Sequence, residues 1–223
     1  MPPRSRRVWR DNGLSIVLIV SFLATWFGQV LAGWDVYNDE RRDEGRSAVS
    51  ITEYLASSHF GEATFENWES EFLQMAAYVL FTVFLYQRGS SESKRPSVIE
   101  LVDVDARDLT ITDQAPWPVR RGGLLLLLYE NSLSLAFAAI FIASFWLHAA
   151  SGARQFSEQQ VAQGRAPIDT LAYIGTSQFW FESFQNWQSE FLSLFAMVVL
   201  SIFLRQRGSP ESKPVAAPTW ETG

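Results

Sequence analysis

Two glutamates stand at matching places in two apolar stretches of the chain, and their surroundings suggest proton or cation chemistry. Glu71 lies in the block FENWESEFL and Glu190 lies in FQNWQSEFL. In a helix, residues three or four positions apart share one face. The faces that contain these glutamates comprise Asn67, Glu71, Gln74, Tyr78 and Thr82 in the first stretch, and Asn186, Glu190, Ser193, Met197 and Ser201 in the second.

If both faces turn inward, Glu71 and Glu190 would meet in a low-dielectric interior. Two such carboxyl groups do not both ionise readily, so the pair would hold a proton near neutral pH. His148 is expected at the same depth, from the 1.5 Å rise per helical residue. These groups could bind a proton, a cation or a cationic ligand, with Trp faces assisting. The candidate polar or ion site comprises Asn67, Glu71, Gln74, His148, Asn186, Glu190 and Ser193.

A purely structural interpretation accounts for the same residues. Asn, Ser, Thr and Gln side chains form hydrogen bonds between membrane helices, each worth about 0.6 kcal/mol. Trp68 and Trp187 would mark an outer aromatic belt, with the glutamates just beneath it and still in contact with water. At the other ends of these helices, Arg88 and Arg207 would act as anchors that reach the membrane surface. The sequence leaves both interpretations open.

The helices that must carry these residues belong to an internal repeat. Shifting the chain by 119 positions overlays residues 11–94 on 130–213 without a gap, with 29 identities in 84 pairs. A second shared block, QRGSSESK at 87–94 and QRGSPESK at 206–213, ends each copy. Each half is therefore predicted to be one structural unit.

Each unit should contain two helices that cross a membrane. The uncharged runs after Gly13 and after Glu130 hold 21 and 23 residues, enough to cross a hydrocarbon core about 30 Å thick. The later apolar runs are shorter, so their helices must start in the NWxSEF blocks. The predicted fold is an all-α membrane protein: two tandem hairpins in the same orientation, with short extracytoplasmic helices. The predicted spans are about 14–34, 65–86, 131–153 and 184–204.

Basic residues set the predicted orientation. The two tails and the central segment hold 13 of the 18 Lys and Arg residues, which places them and both termini in the cytoplasm. The Arg-rich start also resembles a signal peptide, but the equivalent helix of the second copy lies in mid-chain, which favours a retained helix. The predicted division is a tail at 1–10, repeat 1 at 11–94, a cytoplasmic linker at 95–123, repeat 2 at 124–213 and a disordered tail at 214–223.

The duplicated F-x-N-W-x-S-E-F-L block, followed by an apolar span and QRGSxESK, resembles an uncharacterised family of bacterial multi-pass membrane proteins, a domain of unknown function. The resemblance covers residues 11–213. It implies the bacterial inner membrane and supplies no activity.

Composition and missing motifs exclude several functions. The chain has no Cys, which excludes disulfides and zinc-thiolate sites, and its net charge of -6 argues against nucleic acid. Nucleotide-binding and hydrolase motifs do not occur, so we expect no enzyme activity, no cofactor and no metal. The expected partner is the lipid bilayer. The small residues Ala24, Gly28 and Ala32 allow close helix contact, which would serve packing within the chain or, alternatively, a seam with a second copy of the chain. The leading prediction is a structural, assembly or envelope-related membrane protein, and the alternative is a small proton or cation transporter or channel around Glu71 and Glu190.

Overall fold

The protein is described by a computed structural model that covers residues 4–96 and 98–222. Residues 1–3 and 223 of the predicted tails and residue 97 of the predicted linker lie outside the described residues. Within the described ranges the chain is helical and contains no strand. The helices are α1 (Arg4–Asp43), α2 (Ile51–Leu55), α3 (Ser58–Phe84), α4 (Trp117–Arg121), α5 (Gly123–Glu130), α6 (Ser132–Ala162), α7 (Thr170–Ile174) and α8 (Ser177–Phe203).

Three of the described helices are long and apolar enough to cross a membrane: α1 over Val8–Asp43, α6 and α8. The prediction of an all-α membrane protein is confirmed to that extent. Helix α3 has the same length as α8, 27 residues, but it carries four glutamates where α8 carries two. Helices α1 and α6 also extend well beyond the predicted spans, so both project past the apolar stretch.

Helix α3 occupies the centre of the molecule. It packs along most of its length against α6 and over a shorter stretch against α8, whereas α1 touches α3 at few places. The sequence predicts instead that α3 pairs mainly with α1 in one hairpin. The carboxylates of α3 explain the difference, because their polar partners lie on α6 and α8, while the side chains of α1 at this level are mostly apolar and exposed.

The short helices α2 and α7 are built alike at positions 119 residues apart. Asn38 binds the backbone N–H and carbonyl of Val49, at 2.7 and 3.1 Å. The hydroxyl of Ser157 makes the same two contacts with Ile168, at 3.0 and 2.9 Å. These contacts pin the chain that leads from each long helix into α2 or α7.

A glycine on each long helix makes room for a buried tyrosine from α2 or α7. Tyr54 packs on Gly33, and Tyr173 packs on Gly152; a Cβ atom at these glycines would lie 2.1 Å from Tyr54 Oη and 2.6 Å from Tyr173 Cε1. Both tyrosines are almost completely buried. Only glycine allows this close approach, so each pair fixes α2 or α7 over the end of the bundle.

At the opposite end, the two QRGSxESK segments form similar loops. Gln87 N–H donates to Ser93 Oγ at 2.8 Å, and Gln206 N–H donates to Ser212 Oγ at 2.9 Å. Gly89 turns the first loop with a φ of 89°. The two segments therefore turn the chain in the same way at the ends of α3 and α8.

The tail at 214–223, for which the sequence predicts disorder, contacts the preceding Lys213 through several of its described residues. The buried Lys213 ammonium donates to the carbonyls of Pro218, Thr219 and Glu221, at 3.4, 3.1 and 2.8 Å. A buried ammonium needs such acceptors, and the tail supplies them by folding back. The central linker is also anchored, by ion pairs from Lys94 to Asp103 and from Arg107 to Glu130.

Candidate functional site

A buried ion pair joins α3 to α6 in the interior of the bundle. Glu69 on α3 and His148 on α6 have fully buried side chains, and Glu69 Oε2 lies 2.6 Å from His148 Nδ1. The other oxygen, Glu69 Oε1, accepts a hydrogen bond of 3.0 Å from the indole N–H of Trp187 on α8. One carboxylate therefore connects three helices.

The other edge of the imidazole faces a second carboxylate. His148 Nε2 lies 3.5 Å from Glu182 Oε2 on α8, and it has no hydrogen-bond partner among the described residues. The ring of Phe179 stacks on the imidazole, with 5.0 Å between centroids. Since either ring nitrogen can carry a proton, His148 lies where it could exchange one with a carboxylate on each side.

Tyr173 on α7 controls the position of Glu182. Its hydroxyl donates to Glu182 Oε2, the same oxygen that faces His148. Gln178 donates to the other oxygen, at 2.6 Å. Burial and the hydrogen bond to Glu182 raise the pKa of Tyr173 above its ordinary range, so the phenol stays neutral and acts as a donor. We call Glu69, His148, Tyr173, Glu182 and Trp187 the His148 cluster.

A cavity of about 230 Å³ reaches the His148 cluster from the end of the bundle where α2 and α7 lie. We call this cavity the vestibule. Its three carboxylates come from α3 and α8 and belong to Glu62, Glu66 and Glu182. Asn186 on α8 donates to Glu66 Oε1 at 2.5 Å. The vestibule is lined by His59, Glu62, Ala63, Glu66, Gln155, Phe156, Gln159, Tyr173, Gln178 and Glu182.

The sequence of α3 explains this arrangement. Glu62, Glu66 and Glu69 are spaced by four and three residues, which puts them on one helical face. That face turns toward α6 and α8. Four carboxyl groups around one imidazole form a coupled proton-binding set, whose protons belong to the group as a whole.

Some of the predicted site residues take part in these contacts. His148 lies at the centre, and Asn186 holds Glu66. Gln74 is buried, and its amide donates to the Glu190 carbonyl at 2.7 Å and to Ser193 Oγ at 3.0 Å. These last contacts connect α3 to α8 one turn beyond the His148 cluster.

The structure does not bring His148 into contact with Glu71 and Glu190, with which the sequence predicts it to group. His148 contacts Glu69 and Glu182, while Glu71 is exposed and Glu190 half-buried. The two predicted glutamates lie within electrostatic range of each other, but no hydrogen bond joins them in the described structure. Two residues correspond to about 200° around a helix, so Glu69 and Glu71 point in nearly opposite directions.

The other predicted positions lie at the surface or serve packing. Asn67 is exposed and donates to the Ala63 carbonyl of its own helix. Trp68 packs on Phe22 and Phe65, whereas Trp187 has the additional role of donor to Glu69. Arg88 and Arg207 are exposed at the ends of α3 and α8, where membrane anchors would stand.

Sequence reasoning missed Glu62, Glu66, Glu69, Tyr173 and Glu182. The i, i+4, i+7 spacing of the first three was the available signal.

In the described ranges no group of three or more His, Asp or Glu side chains has a geometry that could hold a metal ion. With 2.6 Å between His148 and Glu69, their contact is a direct hydrogen bond.

Comparison with known proteins adds a family but no activity. No curated protein and no solved structure matches the chain. One family model matches residues 5–223, nearly the whole chain. The protein therefore belongs to the family described as a domain of unknown function, DUF6766.

Proposed function

We propose that this protein transfers protons across a bacterial inner membrane, with His148 as the group that takes up and passes on each proton. One observation carries the proposal: a fully buried imidazole lies between two carboxylates, and one of these lines an open cavity. Ionisable groups in the interior of a membrane protein are costly and typically mark ion or proton pathways.

In this proposal four helices cross the membrane: α1, α6 and α8, and α3 as the fourth. A carboxylate that faces lipid would be costly, but Glu69 is fully buried and Glu66 is bonded to Asn186. The four glutamates of α3 thus lower its average hydropathy without requiring four charges in lipid. The equal lengths of α3 and α8 support the same inference.

The arrangement of the four helices follows from the repeat. The bounds of α2 and α3 recur in α7 and α8 after a shift of 119 residues, which supports two units that run in the same direction. The distribution of Lys and Arg then favours cytoplasmic termini. The vestibule would open on the outer side of the membrane.

Proton transfer at the site needs only groups of this chain. A proton from the vestibule protonates Glu182, which passes it to His148 Nε2. The imidazolium then releases the proton on Nδ1 to Glu69 Oε2, which leaves a neutral ring with its proton on Nε2. After Glu69 has passed its proton on, exchange between the two tautomers of His148 restores the starting state for the next proton. Tyr173 keeps its own proton and orients Glu182 throughout. Each step moves one proton between two oxygen or nitrogen atoms that are already close together.

The test is proton flux in liposomes that contain the purified protein and a trapped pH-sensitive dye, driven by a potassium diffusion potential. His148→Gln introduces the residue that stands at the equivalent position of the first repeat, Gln29. We expect this change to lower the flux at least tenfold. The matched control is Glu71→Gln, on the exposed face of α3, which should leave the flux within about twofold of the wild type.

A second function, structural support without transport, is favoured by the same carboxylate. Glu69 bonds to both α6 and α8, so the His148 cluster could serve only to hold the helices together. In that case the wild-type protein would carry no proton flux above that of empty liposomes, and His148→Gln would lower only the stability. That result would contradict the transport proposal.

A further inference from the structure

A line of polar residues begins in the vestibule, beside the His148 cluster, and continues along α3 to the other end of the bundle. Glu62, Glu66, Ser70, Gln74 and Tyr78 follow one another at intervals of four residues, which places them on one continuous ridge of the helix. Ser70 and Gln74 are buried, at 2% and 7% exposure. From Glu62 to Tyr78 the ridge covers about 24 Å, most of the thickness of a hydrocarbon core.

The ridge ends at a hydrogen-bonded pair. Tyr78 Oη donates to Glu92 Oε2 at 2.8 Å, and Glu92 belongs to the first QRGSxESK loop. That loop is held firmly: Glu92 N–H donates to Ser90 Oγ at 3.0 Å, and Ser90 shares a buried hydrogen bond of 2.8 Å with Ser201 on α8. The Glu92 carboxylate is thus fixed beside the end of the ridge.

A cavity of about 550 Å³ connects this pair with the surroundings. Tyr78 and Glu92 both line it. The charged groups around the pair are Glu211 of the second loop, which lies within electrostatic range of Tyr78, and Lys94, Glu100 and Asp103, which line the same cavity. Lys94 is already paired with Asp103, at 2.5 Å. Glu92 is therefore the carboxylate that connects the ridge to this cavity.

The second repeat has no comparable pair. Met197 stands where α3 has Tyr78, so α8 offers no phenol at this position that could pass a proton to Glu211. Two of the three vestibule carboxylates, Glu62 and Glu66, belong to α3, as do the buried ridge and Tyr78.

We propose that Tyr78 and Glu92 form a second proton-exchange site, through which protons from the His148 cluster leave the bundle or enter it. This inference rests on the proposed function. The intervals between successive ridge residues are about 6 Å along the helix, a distance that one or two bridging water molecules can cover. At the pair, Tyr78 receives a proton from the ridge while its own hydroxyl proton passes to Glu92, and Glu92 then releases a proton to the cavity.

The experiment measures two quantities on the same variants. The first is proton flux in liposomes. The second is the titration of His148 by ¹⁵N NMR, in the background His59→Gln, so that a single histidine remains. We expect Glu92→Gln and Tyr78→Phe each to lower the flux at least tenfold and to leave the titration curve of His148 unchanged. Glu211→Gln, the matched change in the second loop, should keep the flux within about twofold of the wild type.

The outcomes separate the two proposals. Wild-type flux in both Glu92→Gln and Tyr78→Phe would overturn the second site and leave the role of His148 intact. Tyr78→Phe keeps the loop carboxylate and the aromatic packing, so it decides the matter if Glu92→Gln does not fold. A wild-type protein without flux, in which His148 does not titrate, would overturn both proposals.

Discussion

Helices α3 and α8 have the same length, stand at equivalent places in the two repeats and differ in their chemistry. On α3, Glu66 contacts Asn186 and Glu69 contacts His148 and Trp187. At the equivalent positions α8 has Gln185 and Gln188, and both are exposed. The comparison teaches that the duplicated fold supplies two similar frameworks. Most carboxylates of the site come from the first repeat, whereas the second contributes Glu182 together with His148 and Tyr173.

The largest effect should come from exchanging Glu and Gln at these equivalent positions. Glu69→Gln leaves His148 buried with only one carboxylate nearby, so we expect the free energy of unfolding to fall by about 3–5 kcal/mol. Gln188→Glu changes an exposed side chain that bonds only within its own helix, so it should lower that free energy by much less, about 1 kcal/mol. Unfolding in mixed detergent micelles measures both. Equal losses of stability in the two variants would contradict the described difference between the α3 face at Glu69 and the α8 face at Gln188.

A smaller difference should separate the two buried tyrosines. Tyr173→Phe removes the hydroxyl that donates to Glu182 and should lower the free energy of unfolding by about 2 kcal/mol, since hydrogen bonds to charged groups are among the strong ones. Tyr54 has Ala63 where Tyr173 has Glu182, so Tyr54→Phe should have a smaller effect. The same unfolding assay applies. A larger loss in Tyr54→Phe would contradict the assignment of Tyr173 to the site.

The smallest losses of stability should come from the N-caps of α3 and α8. These losses should be equal, because the two caps belong to the framework that both repeats share. Ser57 Oγ accepts the Phe60 N–H at the start of α3, and Thr176 Oγ1 accepts the Phe179 N–H at the start of α8. Replacing either N-cap with Ala should cost about 1 kcal/mol. Measured side by side, the two losses should agree within about 0.5 kcal/mol. A clear inequality would mean that the two frameworks are not equivalent in stability.

The sequence predicted the framework well because the framework is periodic. Long uncharged runs and the 119-residue shift indicated α1, α6 and α8. His148 was found because an ionisable side chain within an apolar run is costly and typically marks a functional site. The contacts of Lys213 with the carbonyls that follow it leave no periodic pattern, so the sequence gives no signal for them.

The site was only partly predicted, and the repeat itself explains why. The prediction favoured Glu71 and Glu190 because they occur in both copies. The residues that contact His148, however, are Glu69 and Glu182, which each occur in one copy only. Recurrence identifies what both units need for folding, while an asymmetric site depends on positions where the copies differ. Which face of α3 meets α6 depends on packing between the halves, and no local pattern determines that.

The central position of α3 has a consequence for biosynthesis. The ribosome makes α3 more than forty residues before α6 and about ninety before α8. If α3 crosses the membrane as proposed, its glutamates enter before His148, Trp187 and Asn186 exist to receive them. The first half of the chain would then stay at the membrane surface or within the insertion machinery until the second half arrives. Assembly of this protein would be completed only after synthesis of its last helix, and an interrupted chain would be a ready substrate for membrane proteases.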